Sequence, residues 1–359
     1  MTARPPTLPQ RPDVRCPAQR LPAEADILSD VLRTVRLSGA LFFDVRASSP
    51  WVAETPPAAE LASMVMPGAQ HVIEYHVVVA GECWAGLTET GAEPVRLTQG
   101  SVAVFPQGDP HVFSSAPRMR AAAQATADPA LYLPRLDRAM PFVVEQQGGG
   151  PEKTRLLCGF LGCDARPFNP LIQALPRMLH IPGCYSKKSG KLGFLIGAII
   201  EESRDGRIGG GGILAKLSEL IFLEVVRLHA ESLADGARGW LAGLGDPQVG
   251  RAIRLLHGDP GRPWTLPDLA REAGVSRTIL AERFTAALGM PPMTYLLNWR
   301  MQIAAGMLTC GEAKIAGVAA DVGYESEAAF SRAFKRSTGM PPAAWRMAAR
   351  ERAPSGRVA

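Results

Sequence analysis

Short apolar runs separated by turn residues occupy the chain from about Asp26 to Phe142. Examples are the stretches ALFFDVRA, HVIEYHVVVAGECWAGL and GSVAVFPQGDPHVF. Runs of this length, rich in Val and Phe and broken by Gly and Pro, are typical of β-strands. The pattern predicts a β-sandwich or β-barrel in this part of the chain.

The spacing of apolar positions changes to that of α-helices further along the chain. The stretch NPLIQALPRMLHIP predicts a short helix that Pro176 interrupts. A long amphipathic helix is predicted at Ile213–Leu233, and its apolar residues follow three- and four-residue spacing: Leu214, Leu217, Ile221, Val225 and Leu228. Helical spacing then dominates the remainder of the sequence.

The last third of the chain contains an internal repeat. The tetrapeptide GMPP occurs at Gly289–Pro292 and again at Gly339–Pro342, fifty positions later. Upstream of it, LAREAGVSRTILAERFTAALG matches VAADVGYESEAAFSRAFKRSTG, with one extra residue in the second turn. A repeat of this length predicts two copies of one supersecondary unit.

Each copy has the pattern of a helix-turn-helix. The first helices are predicted at Leu266–Ala273 and Val318–Val322, each ending at a glycine, Gly274 or Gly323, that permits a positive φ. A serine then supplies the hydroxyl that caps the second helix. The capping serines are Ser276 and Ser326, and the apolar faces of the second helices are Leu280 with Phe284 and Phe330 with Phe334. The opposite face of each second helix is left for solvent or for a DNA major groove.

The charge of the 359-residue chain is placed unevenly. The net charge is +5, and from Gly245 onward 15 Lys and Arg residues stand against 10 Asp and Glu, whereas the preceding part holds 24 of each. A basic C-terminal third suits DNA as a partner. The N-terminus is Pro-rich, no apolar run reaches the length of a membrane span, and the six cysteines are scattered. We therefore predict a soluble, cytoplasmic protein with mostly reduced thiols.

The outward faces of the two second helices supply the candidate DNA-binding residues. These are Arg277, Thr278, Ala281 and Glu282 in the first unit, and Glu327, Ala328, Ser331, Arg332, Lys335 and Arg336 in the second. Arg332 is the strongest candidate for base readout, because arginine can bind guanine with two hydrogen bonds. Lys335, Arg336, Arg300 and Arg346 are candidates for phosphate contacts. Glu282 either accepts a hydrogen bond from cytosine or pairs near Arg283.

The stretches IAGVAADVGYESEAAFSRAFKRSTGMPPAAWR and YLLNWRMQIAAGML carry a resemblance to a known family. With them, the segment Asp246–Arg350 resembles the DNA-binding domain of the AraC/XylS regulators. The resemblance implies that two recognition helices enter successive major-groove segments on one face of double-stranded DNA. RNA polymerase is a further candidate partner.

Two spacings in the N-terminal half resemble cupin motifs: Glu74 followed by Gly81, and Gly100 followed by Pro106-Gln107-Gly108 and His111. The stretch CGFLGCDARPFNPLIQALP resembles the end of the cupin-like sensor domain of AraC-type regulators, which extends the resemblance over about Asp26–Ser232. Metal-binding cupins use an H-x-H pair, the glutamate and the later histidine. Here Gly68, Ala69 and Gln70 occupy the place of the H-x-H pair.

Strand alternation places Glu74 and His76 on one face, so a metal site of Glu74, His76 and His111 is conceivable. Alternatively, His76 is a half-buried strand residue and Glu74 faces a paired partner. We favour an effector pocket formed by these three residues and Trp84, and predict no metal, no other cofactor and no catalytic residue. Cys158 and Cys163 are either redox sensors or buried structural thiols.

The sequence thus predicts a two-domain α+β protein, with an N-terminal cupin-like β-barrel carrying a helical dimerisation segment and a C-terminal all-α domain with two helix-turn-helix units. The predicted boundaries are a disordered arm (1–22), the sensor domain (23–235), a linker (236–245), the DNA-binding domain (246–350) and a flexible tail (351–359). The helix Ile213–Leu233 is either an ordinary packing element or the dimer seam that related regulators would imply.

The predicted function is that of a transcription regulator that binds promoter DNA as a homodimer and responds to a small-molecule or redox effector. Two alternatives stay open. One is a metal-dependent cupin enzyme with an appended nucleic-acid-binding domain, and the other is an architectural DNA-binding protein without effector control.

Overall fold

A computed structural model of the chain describes residues 26–89, 91, 93–121, 141–183, 190–205, 208–234, 237–311 and 313–352. The arm predicted at 1–22 and all but two residues of the tail predicted at 351–359 lie outside this range. Among the described residues, no helix combines the length and the apolar character needed to cross a membrane.

Strands and short helices form the N-terminal part. In chain order its elements are α1 (Ile27–Thr34), β1 (Ser38–Ser48), β2 (Val52–Thr55), α2 (Ala58–Val65), β3 (His71–Ala80), β4 (Glu82–Leu87), β5 (Val95–Thr98), β6 (Val102–Phe105), β7 (His111–Ser114), β8 (Phe142–Gln147), β9 (Lys153–Cys163), α3 (Pro170–Ala174), β10 (Leu179–Ile181), α4 (Gly190–Asp205) and α5 (Gly210–Ser232).

The strands form two sheets. The larger has six strands in the order β10-β6-β3-β9-β1-β8, and the smaller has four in the order β2-β7-β4-β5. All pairs are antiparallel except β1 with β8. The predicted barrel is therefore wrong in detail, since the described strands form a two-sheet sandwich rather than one closed sheet. The sequence pattern could not separate these two architectures, because both alternate buried and exposed residues along each strand.

One face of the large sheet packs on the small sheet and the other packs on helices. The core between the sheets contains Val78 and Phe105 of the large sheet with Ala85 and Phe113 of the small one. Residues of β3 alternate between the two faces, so that Tyr75 points toward the helices and its hydroxyl lies 2.6 Å from the Ser218 hydroxyl of α5. Strand β3 thus contacts both the inter-sheet core and the helical layer.

Helix α5 packs against β1 and α4. Leu214, Ile221 and Val225 of its predicted apolar stripe are buried in the core of this same chain. For this stripe the interpretation as an ordinary packing element is therefore correct. The large apolar residues that α5 leaves exposed are Ile213 and Leu220, seven positions apart.

Helices form the C-terminal part. They are α6 (Trp240–Gly245), α7 (Pro247–Gly258), α8 (Leu266–Ala273), α9 (Arg277–Leu288), α10 (Pro292–Cys310), α11 (Ile315–Asp321), α12 (Glu327–Thr338) and α13 (Pro342–Arg352). Pairs α8/α9 and α11/α12 are the two helix-turn-helix units, and α10 connects them. Trp299 and Leu308 of α10 are fully buried between its neighbours.

The two parts of the chain share one apolar core, which runs from Ile27 of α1 to Trp345 of α13. Polar contacts reinforce this junction. The buried side chain of Gln302 in α10 accepts a hydrogen bond from the backbone N–H of Phe168 at 3.0 Å. Helix α6 lies within the segment predicted as a linker, and its Trp240 is buried with the indole N–H bonded to the Tyr295 hydroxyl at 2.8 Å.

Candidate nucleic-acid interface and effector site

The first helix-turn-helix places α9 on the surface through local interactions. The Ser276 hydroxyl accepts a hydrogen bond from the Ile279 N–H at 3.3 Å and thereby caps α9. Leu280 and Phe284 are fully buried, as the spacing predicted. On the outward side Arg277, Thr278 and Glu282 are exposed and Ala281 is half-buried. The predicted residues therefore share one accessible face.

The second unit repeats this geometry. The Ser326 hydroxyl accepts from the Ala329 N–H at 3.2 Å, and Phe330 and Phe334 are fully buried. The outward residues of α12 are exposed apart from the half-buried Ser331: Glu327, Ala328, Arg332, Lys335 and Arg336. Three of these six predicted residues are cations within five positions, whereas the predicted face of α9 contains a single arginine.

Other arginines of this part of the chain are committed to intramolecular contacts. Arg300 donates to the backbone carbonyls of Pro260 and Arg262 at 2.6 and 2.7 Å, and Arg346 donates to the Ala313 carbonyl at 2.5 Å. These guanidinium groups hold neighbouring turns, and their role as phosphate contacts stays a prediction. By contrast, the side chains of Arg277, Arg332 and Lys335 make no hydrogen bond or ion pair to another residue of the described ranges.

Two further features of α9 complete its surface. Arg283 pairs with Asp246 at 2.6 Å and contacts Gln248, both outside the helix, so it is not the partner of the exposed Glu282. Ile279, which the sequence interpretation passed over, is 46% exposed. An exposed isoleucine is suited to the methyl group of thymine. Its exposure could have been predicted from the sequence, because Ile279 stands next to Leu280 and falls outside the four-residue spacing of the buried face.

In the N-terminal part, three predicted residues meet between the two sheets. Glu74 and His76 come from β3 of the large sheet, and His111 comes from β7 of the small one. The Nε2 atoms of His76 and His111 lie 3.0 Å apart, and a carboxylate oxygen of Glu74 lies 3.8 Å from His111 Nε2. All three side chains are buried, with 0–6% exposure.

The surroundings of this cluster, hereafter the Glu74–His76–His111 cluster, are aromatic. The His111 ring stacks on Phe105 with centroids 3.7 Å apart, and the His76 ring lies 4.4 Å from that of Phe113. Burial raises the pKa of Glu74 well above its usual range and lowers that of His111 to about 4. Burial, and to a lesser extent the neighbouring His111, lowers the pKa of His76. The two imidazoles are therefore neutral at physiological pH.

Trp84 does not join this cluster. Its strand neighbours Cys83 and Ala85 point into the inter-sheet core, whereas Trp84 is half-buried on the opposite face of β4. The structure thus assembles three of the four predicted effector-pocket residues and separates the fourth. The two predicted sensor thiols, Cys158 and Cys163, are both buried, and burial is the largest influence raising the pKa of each. That environment matches structural thiols rather than reactive ones.

A cleft at the junction of the two parts was not foreseen from sequence. Its volume is about 380 Å³, and its walls include Arg36, Gln70 and Asp164 from the N-terminal part with Thr309 and Arg350 from the C-terminal part. Arg36 donates both to the Asp164 carboxylate, at 2.7 and 2.8 Å, and to the Cys310 sulfur. The lining comes from residues more than 270 positions apart, which explains why no local pattern indicated it.

Comparison with known proteins decides the family. A family model described as cupin matches residues 26–231, and one described as a helix-turn-helix domain matches residues 269–348. A putative AraC-like transcription regulator of Streptomyces lividans is 31% identical over 321 residues, which cover 89% of this chain and 98% of that protein. The chain belongs to the AraC-like transcription regulators.

Two further proteins match shorter stretches of this AraC-like regulator. The activator RclR of Escherichia coli is 31% identical over 206 residues, which cover 56% of this chain and 71% of RclR. Among solved structures, the DNA-binding domain of AdpA in complex with a target DNA is 29% identical with a TM-score of 0.29, and covers 31% of this chain and 99% of that one. The protein is a DNA-binding transcription regulator with an N-terminal cupin domain, and its relatives are named as regulators rather than as enzymes.

Proposed function

We propose that this regulator reads promoter DNA with α9 and α12 in two successive major-groove segments, and that α12 supplies the larger share of the specificity. The observation that carries the proposal is the outward face of α12, where exposed Arg332 and Lys335 have no partner within the described residues. A cation held on a helix face without an internal partner is available for bases and phosphates. On α9 the corresponding face offers Arg277 and the apolar Ile279.

We further propose that the regulator acts as a homodimer in the cytoplasm and contacts RNA polymerase at promoters. Exposed apolar side chains support the dimer. Phe194 of α4 is 77% exposed, and Ile213 and Leu220 of α5 are 48% and 46% exposed. Apolar groups of this size on adjoining helices are typical of a surface that a second copy covers.

Effector control completes the proposal. The cleft at the junction has a volume in the range of small-molecule sites and is lined by both domains. A ligand bound there contacts both domains, so it favours the domain arrangement that fits it and shifts the population of DNA-binding states. The cleft replaces the pocket expected around Trp84 as the candidate site for an organic effector.

DNA binding is tested by fluorescence polarisation with fragments from upstream of the protein's own gene and its neighbours. We expect one fragment to bind more tightly than a scrambled fragment of equal length, and the affinity to fall steeply with salt. Equal affinity for all fragments, from protein shown to be folded by circular dichroism, would contradict sequence-specific reading.

A further inference from the structure

The Glu74–His76–His111 cluster has the arrangement of a metal site. Its three ligand atoms, one from each side chain, all lie within 4.8 Å of one another. In a tetrahedral zinc site with metal–nitrogen distances near 2.05 Å, ligand atoms are separated by roughly 3.3 Å. The separations of 3.0 Å between the imidazole Nε2 atoms and 3.8 Å between a Glu74 carboxylate oxygen and His111 Nε2 lie on either side of that value.

Two polar atoms of the cluster have no protein partner. Glu74 Oε1 and His76 Nδ1 are fully buried and make no hydrogen bond to any residue in the described part of the chain. A buried carboxyl without a partner costs considerable free energy, and native proteins rarely keep one without a role. The cost falls if the carboxylate coordinates a cation, and so the orphaned oxygen points to a ligand that the protein itself does not supply.

The orientation of His111 gives a second, independent indication. Its Nδ1 lies 2.8 Å from the backbone carbonyl of Asp109, which can only accept a hydrogen bond. Nδ1 therefore carries the proton, and Nε2 presents a lone pair toward Glu74 and His76. Histidines that bind metals are commonly oriented in this way, with the second ring nitrogen donating to a backbone carbonyl or a carboxylate.

We propose that Glu74, His76 and His111 bind one divalent first-row transition-metal ion, of which Zn²⁺ is the representative, between the two sheets of the cupin domain. Two neutral imidazoles and one carboxylate are a donor set that such ions accept. The set differs from the four-ligand cupin pattern in two ways. His76 lies on the same strand as Glu74. In addition, Gly68, Ala69 and Gln70 stand in the place of the H-x-H pair.

An ion bound at this position would link the two sheets of the cupin domain. Its ligands come from β3 and β7, which belong to different sheets, so the ion ties the two sheets together. Three protein ligands leave a further coordination position, as in zinc sites that bind water or an exogenous group. The proposal concerns metal binding alone and does not depend on how the C-terminal domain reads DNA.

The test uses the full-length protein, stripped with a chelator and then loaded with Zn²⁺ or Co²⁺. Metal content is measured by elemental analysis, Zn²⁺ affinity by competition with a chelating dye, and ligand type by the visible spectrum of the Co²⁺ form. The variants are Glu74→Gln, His76→Gln and His111→Gln. The matched control is His71→Gln, since His71 lies on the same strand and bonds instead to the Pro106 carbonyl.

We expect one ion per chain in the wild type and in His71→Gln. Each cluster variant should lose more than the roughly 10–100-fold in affinity that changes in the outer shell of a metal site cause. Glu74→Gln replaces the buried carboxyl with an amide of the same shape, so this variant keeps the fold even where a histidine variant does not. Circular dichroism and thermal melting of every variant check the fold.

Three results overturn the proposal. The first is a folded wild type that retains less than one equivalent of either metal after dialysis. The second is unchanged Zn²⁺ affinity in folded Glu74→Gln. The third is a Co²⁺ spectrum dominated by thiolate charge transfer, because it would assign the ion to cysteines instead of the Glu74–His76–His111 cluster.

Discussion

His257 of α7, which is buried, and the half-buried Asp30 of α1 form a contact between the two domains, with Nδ1 of the imidazole 2.9 Å from a carboxylate oxygen. The other ring nitrogen lies 2.8 Å from the Tyr295 hydroxyl, which in turn accepts from the Trp240 indole N–H. All of these hydrogen bonds can form when His257 is neutral and donates its single ring proton from Nδ1 to Asp30. One imidazole therefore connects α1, α7, α10 and α6.

Acidification is expected to weaken this contact. Burial lowers the pKa of His257, and the opposing effect of Asp30 does not restore it. The unfolded chain therefore takes up a proton at this residue at higher pH than the folded protein, near the ordinary value of about 6.5. The contribution to the free energy of unfolding is complete above that pH and is lost as the pH falls from about 6.5 toward the lower folded pKa.

Urea unfolding of the wild type and of His257→Gln at about pH 8 and about pH 5 measures this effect. The wild type should lose more stability than the variant between the two pH values, because only the wild type has the imidazole whose pKa is lowered by burial. The comparison of the two proteins cancels the titration of other buried groups, including those of the Glu74–His76–His111 cluster. Equal losses in both proteins would show that His257 does not carry the pH dependence.

Arg332→Ala is expected to weaken specific DNA binding more than Arg277→Ala. Loss of a guanine contact with two hydrogen bonds costs about 1–3 kcal/mol, or roughly 5- to 150-fold in affinity. The matched variant Arg332→Lys keeps the charge but not the paired geometry, so it should lose discrimination between fragments while retaining most nonspecific affinity. Polarisation titrations in one buffer provide the comparison, and equal losses for the two alanine variants would contradict the unequal roles of α9 and α12.

Gly323→Ala is expected to destabilise the protein more than Gly274→Ala. Both glycines have positive φ, +79° and +80°, where a side chain costs about 1–2 kcal/mol. At Gly274 an added Cβ meets nothing within 4 Å, whereas at Gly323 it would lie 2.4 Å from the Gly261 carbonyl and 2.8 Å from Arg300 Nη2. Thermal melting should therefore show a larger shift for Gly323→Ala. The same shift in both variants would mean that the turn at Gly323 relaxes freely.

Leu220→Glu is expected to weaken the proposed dimer. A charge at the centre of an apolar contact costs about 2 kcal/mol or more, or roughly 30-fold in the dissociation constant. Sedimentation equilibrium of the full chain measures the change. Val143→Glu is the control, because Val143 is 52% exposed on β8, an edge strand of the large sheet. A wild-type protein that stays monomeric at high concentration, or equal effects of both variants, would exclude dimerisation through this face.

Local signals explain why the helix-turn-helix units were predictable. Caps at Ser276 and Ser326, glycines with positive φ and four-residue apolar spacing all act within a few positions of the chain. The first unit matches closely, with α8 at Leu266–Ala273 as predicted. Helix α11 begins at Ile315 rather than Val318, because packing of its first turn offsets the low helix propensity of Gly317.

Contacts between distant parts of the chain explain what was not predicted. The residue type of Arg300 and Arg346 suggested an exposed cation, but backbone carbonyls 33 to 40 positions away accept their hydrogen bonds. Strand alternation correctly placed Glu74 and His76 on one face, whereas the position of Trp84 depended on which face of β4 meets the large sheet. Such pairings are properties of the folded chain, and no short window of sequence contains them.

The core that runs without interruption from Ile27 to Trp345 also bears on how such regulators can be cut and recombined. A C-terminal fragment beginning at Asp246 would leave the α1 and α6 contacts behind and expose their apolar counterparts to water. Such a fragment is a poor reference for DNA binding without effector control, because part of its hydrophobic core has been removed. For the same reason, a chimera of two related regulators has to exchange α1 together with the C-terminal DNA-binding domain, so that the two halves pack against each other.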